Sequence, residues 1–70
     1  MIPIAMVGVG ETVSVQRVTG RDSTRLHLAE LGFVEGAEVT VINEVAGSLI
    51  IQVKDSRVAL NKDMAMRIMA

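Results

Sequence analysis

Cysteine is absent from the 70 residues, proline occurs once, and Phe33 is the only aromatic side chain. Without thiols, and with His27 as the only imidazole, neither a disulfide framework nor the usual structural zinc sets can be assembled. Long apolar runs are also missing: no stretch approaches the roughly 18 residues of a membrane span. The apolar start, Met1–Val9, lacks the basic leader and extended core of a signal peptide. A cytoplasmic protein with no direct membrane insertion is therefore expected. Nor does charge of one sign prevail, since seven Lys and Arg face eight Asp and Glu for a formal charge of −1. Arg17, Arg21, Arg25, Lys54, Arg57, Lys62 and Arg67 are scattered through the chain. No basic run exists to displace counterions from phosphates, which disfavours a nucleic-acid role.

What the chain does have is apolar substance, at 50% hydrophobic residues and a mean hydropathy of +0.45. A chain of this length reads as one domain, residues 1–70, and must hold itself together by packing alone. Thr12–Gln16 alternates polar and β-branched residues as a half-buried strand does. A helix of about nine residues follows, with Asp22 or Ser23 as its cap and Leu26, Leu28, Ala29 and Leu31 as its apolar face. Gly32 suits the left-handed residue that closes such a helix, and Phe33 folds back onto the last turn. Glu38–Ile42, Leu49–Val53 and Arg57–Leu60 read as further strands, with reversals at Ala46-Gly47 and Lys54–Ser56. Asn61–Asp63 opens one helical turn before a last short strand at Arg67–Met69. The pattern predicts a mostly β fold, a small five-stranded barrel with one short α-helix inserted after the first strand and a helical turn before the last. Closure would keep the very apolar Leu49–Val53 off an open edge.

Candidate chemistry is sparse. Ser23 stands four residues before His27, but no oriented third group or carboxylate pair accompanies them, so no catalytic residue and no enzyme is expected. His27 and Glu30, three apart on one helical face, are the only metal candidates. A pair falls short of the three or four ligands of a built site, so no cofactor is expected beyond weak association of Fe²⁺ or Zn²⁺. One Phe cannot line the aromatic grooves that bind proline-rich peptides or stack single-stranded bases. Met1, Met6, Met64, Met66 and Met69 gather at the two chain ends, where they either plug the core or form an adaptable patch, with a homodimer as one use.

The stretch Arg25-x-x-Leu28-x-x-Leu31-Gly32-Phe33-x-x-Gly36-x-x-Val39 resembles the signature of the ferrous iron transport protein A family, FeoA. Gly10, Val41, Ile51, Val53, Ala59-Leu60, Ala65 and Ile68 continue the resemblance over nearly the whole chain. The same SH3-like module resembles the C-terminal domain of DtxR-type iron-dependent repressors, whose DNA-binding helix pair is not expected here. Glu35 stands where the family usually has proline, and the Val45–Ser48 hairpin is shorter than the family's loop. The resemblance implies a small cytosolic accessory protein of ferrous iron uptake whose partner is the cytosolic part of the membrane transporter FeoB. Arg25, Leu28, Gly32, Phe33 and Gly36 are then the expected partner-binding residues, because binding residues favour loops on a rigid scaffold. A transition-metal sensor or carrier and a nucleic-acid-binding SH3-like barrel are the alternatives.

Overall fold

The computed structural model describes residues 1–70. After a 3₁₀ turn at Ile4–Met6 the elements are β1 (Thr12–Ser14), β2 (Arg17–Val18), α1 (Asp22–Glu30), β3 (Glu38–Val45), β4 (Ser48–Val53), β5 (Ser56–Asn61), α2 (Lys62–Ala65) and β6 (Ile68–Met69). Two antiparallel sheets result: four strands in the order β1-β3-β4-β5, and the pair β2-β6.

The alternating segments form strands because one side of each can be buried. In β4 the pattern is complete, with Leu49, Ile51 and Val53 buried and Ser48, Ile50 and Gln52 only half-buried. Two tight reversals set the register of this meander. Ala46 and Gly47 both adopt positive φ, 51° and 83°, as a two-residue turn matched to the twist of its strands requires. Val45 then pairs with Ser48, and a bulge between Val41 and Asn43 shifts the register, past which Asn43, Glu44 and Val45 are all exposed.

The expected five-stranded barrel does not form: six strands lie in two sheets, and neither closes. The cause is local at both ends. The strand read as Thr12–Gln16 breaks after Ser14, because the Val15 backbone is taken by the turn before β3: Val15 N–H donates to Ala37 O at 2.8 Å and Gly36 N–H to Val15 O at 2.7 Å. Past that point the chain leaves β3, and β2 pairs with β6. At the other end β5 runs directly into α2, whose Met64 N–H donates to the Asn61 side chain at 2.9 Å. That cap turns the chain away from β5 and leaves its outer edge without a neighbour. The helix consequently follows the second strand, not the first, while the helical turn before the last strand is present as expected. The apolar Leu49–Val53 is protected without closure, since β4 lies between β3 and β5.

Thirteen side chains make one core, from Ile4 and Val7 through Val15, Leu28, Phe33 and the inward strand residues to Ala65 and Ile68, with no buried polar group. The chain ends meet: Ile2 N–H donates to Ala70 O at 2.9 Å and Ala70 N–H to Ile2 O at 2.7 Å. The N-terminal segment thereby extends the β2-β6 pair, with Pro3 bridged to Met69.

Candidate functional site

Helix α1 is short, and its end is what shapes the surface beside it. Its first turn differs from expectation, for the residue at the cap is Arg21 and no side chain bonds there; Asp22 is already helical. Its last turn closes as expected. Gly32 takes φ +108°, its N–H donates to Ala29 O at 3.0 Å, and Phe33 N–H donates to Leu28 O at 3.0 Å. This is the paired 5→2 and 6→1 closure of a helix ending on a left-handed residue. It drives Phe33 inward, to 1% exposure, beside Leu28 at 0%. The following turn holds Val34 outside, with Ala37 N–H donating to Val34 O at 2.9 Å.

An open groove of about 850 Å³ lies between β2, α1 and this turn. Arg17, Val18 and Thr19 form one wall, Arg25, Leu26 and Ala29 the other, and Phe33 lies at its floor with Val34 and Glu35 at the lip. Two large apolar side chains are held in solvent there, Leu26 at 64% and Val34 at 43% exposure. Leu26 was expected on the packed face of α1. Only Leu28 is fully buried from this helix, and Leu26 points to the groove.

The sequence candidates separate on this geometry. Arg25 lines the groove and is exposed, with its guanidinium donating to Asp22 Oδ1 at 3.3 Å in a solvent-accessible pair; such surface pairs contribute little stability. Leu28 and Phe33 are core residues that support the groove from beneath. Gly32 sits at the helix end and Gly36 at φ +88° on the exposed turn, where each bends the backbone and neither offers a side chain. Arg17, Leu26 and Val34 were not among the candidates, and the fold is what brings them together. Arg67, from the far end of the chain, also reaches the site: its Cδ lies 3.5 Å from where a Cβ on Gly20 would stand, and Gly20 lines the groove.

His27 and Glu30 are both exposed on α1. No group of three or more His, Asp or Glu side chains that could hold a metal ion exists, so the donors at hand amount to that single pair. No helix is long and apolar enough to cross a membrane.

Compared with known proteins, residues 2–70 match the family model described as the FeoA domain. The chain belongs to the FeoA family. A Methanocaldococcus jannaschii protein provisionally named Fe(2+) transport protein A is 32% identical over 69 residues, covering 99% of this chain and 84% of that protein. Among solved structures, an iron uptake regulatory protein (FeoA) superposes with a TM-score of 0.87 at 31% identity, over 96% of this chain and 89% of that one. The Stenotrophomonas maltophilia FeoA complexed with zinc superposes at 0.86 with 27% identity, over 99% and 88% of the two chains. This FeoA chain therefore has an accessory, non-enzymatic role in iron uptake.

Proposed function

We propose that this protein acts in the cytosol as a single module over residues 1–70, regulating ferrous iron uptake by contact with the cytosolic part of the transporter FeoB. The groove between β2, α1 and the Gly32–Gly36 turn is the contact surface. The observation that carries this reading is the exposure of Leu26 and Val34 on either side of an open groove. Large apolar side chains held in solvent beside a concave floor are what a protein interface requires, and aliphatic anchors there gain affinity when water is excluded. Within this reading Arg25 makes the polar contact. Gly32 and Gly36 set the turn, while Leu28 and Phe33 hold α1 and the turn in place. Metal carriage is not part of the reading, because one exposed His–Glu pair offers too few donors for an ion to be held.

Capture of purified FeoB cytosolic domain by the wild type, Arg25→Glu and Leu26→Asp tests it. Both positions are exposed, so both variants should keep the wild-type melting temperature within a few degrees, as surface substitutions do (about ±0.5 kcal/mol). Capture should fall at least about tenfold for Leu26→Asp, as for an interface anchor. Equal capture by all three proteins would remove the groove from the interface.

A further inference from the structure

The charges of this chain nearly cancel in sum but not in space. Three of its seven cations, Arg17, Arg25 and Arg67, gather around the groove. Arg17 and Arg25 line it, and Arg67 lies over Gly20 at its end. Only two acids, Asp22 and Glu35, accompany them. Elsewhere four cations face six acids. The groove thus carries a small net positive charge, while the rest of the chain is net negative.

Two of the three groove arginines are also unspent. The chain has two ion pairs, Arg25–Asp22 and Lys62–Glu44, so Arg17 and Arg67 have no carboxylate of their own. Guanidinium groups suit planar carboxylates, which they bind through parallel N–H donors. Between them the groove offers Leu26, Ala29 and Val34 as apolar surface. Phosphate-backbone ligands fit less well, because Phe33 is buried and no aromatic face is available for a base to stack on.

Resting on the reading of the groove as the partner site, we infer that its occupant is an acidic peptide segment with interspersed aliphatic side chains. The carboxylates meet Arg17, Arg25 and Arg67, and the aliphatic groups cover Leu26 and Val34. Such complementarity raises the association rate and rejects basic partners, an effect that salt screens.

Fluorescence anisotropy with a labelled peptide of Glu and Leu tests the chemistry, with Lys–Leu and Glu–Ser peptides and a single-stranded RNA as the other probes. The Glu–Leu peptide should bind tightest, and raising salt from about 50 mM to about 200 mM should weaken it several-fold as the Debye length shrinks. Arg17→Glu should cost about fivefold and Arg17→Glu/Arg67→Glu more, with Arg17→Gln intermediate. All are surface changes whose folding circular dichroism can verify. Binding indifferent to salt and to these substitutions, or tighter binding of the Lys–Leu peptide or the RNA, would overturn the inference. The same variants against FeoB cytosolic domain separate the two readings. If that domain binds the groove with no dependence on the arginines, the acidic occupant is wrong and the partner stands. If only the Glu–Leu peptide binds, in a charge-dependent way, the groove chemistry stands and the partner is wrong.

Discussion

Replacing Gly32 by alanine perturbs a backbone position on which the groove depends. At φ +108° an L-residue lies beyond the small left-handed well, where entry alone costs about 1–2 kcal/mol. A Cβ there would also stand 3.0 Å from Val53 Cγ2. Val53 is 1% exposed, on β4 between two strands, and its branched side chain has little freedom to rotate away. Together the terms amount to about 2–3 kcal/mol, against a total stability of about 3.5–10 kcal/mol for a chain of this length. At about 4–8 °C per kcal/mol the melting temperature should fall by about 10–20 °C. Gly47→Ala provides the comparison, because Gly47 has φ +83° with nothing within 4 Å of its would-be Cβ. It should lose only the conformational term, about 1–2 kcal/mol. Thermal melts followed by circular dichroism give both numbers. A Gly32→Ala loss no larger than that of Gly47→Ala would refute the packing argument. A Gly32→Ala protein melting with the wild type would refute the role of the helix closure altogether.

Other perturbations follow from the same packing. Phe33→Ala empties the largest fully buried site and should cost about 3–5 kcal/mol, enough to leave a measurable unfolded fraction at 37 °C in denaturant-extrapolated melts. Asn61→Ala removes the cap on Met64 N–H and should cost about 1 kcal/mol; chemical denaturation reads this as a lower midpoint with an unchanged slope.

The local features of this fold were legible because each depends on a few adjacent residues. The Ala46-Gly47 reversal, the closure at Gly32, the inward turn of Phe33 and the helical turn after Asn61 all stand where the residue types put them. The resemblance to FeoA, carried on Arg25 through Val39, is matched by the family model over residues 2–70. Closure was not legible, because it depends on which edges meet. Thr12–Gln16 alternates without a flaw, and only the competing hydrogen bonds that join Val15 with Gly36 and Ala37 break it. The groove was half legible. The Gly32–Gly36 turn and Arg25 were found, but Leu28, Phe33 and Leu26 carry the same apolar signal although two are core and one is exposed. Arg67 is forty-two positions from Arg25, and no local pattern joins them. The available signal was weaker: two of the three groove arginines fall within residues 17–25.

The central claim, that the β2–α1 groove receives the partner, is tested most directly by mapping amide resonances of isotopically labelled protein as unlabelled FeoB cytosolic domain is added. Shifts and broadening should concentrate on Val18, Thr19, Leu26, Ala29 and Val34, the residues that line the groove. Perturbations confined instead to the exposed chain-end residues Met1, Met6 and Met66, or to the open edge of β5, would contradict it.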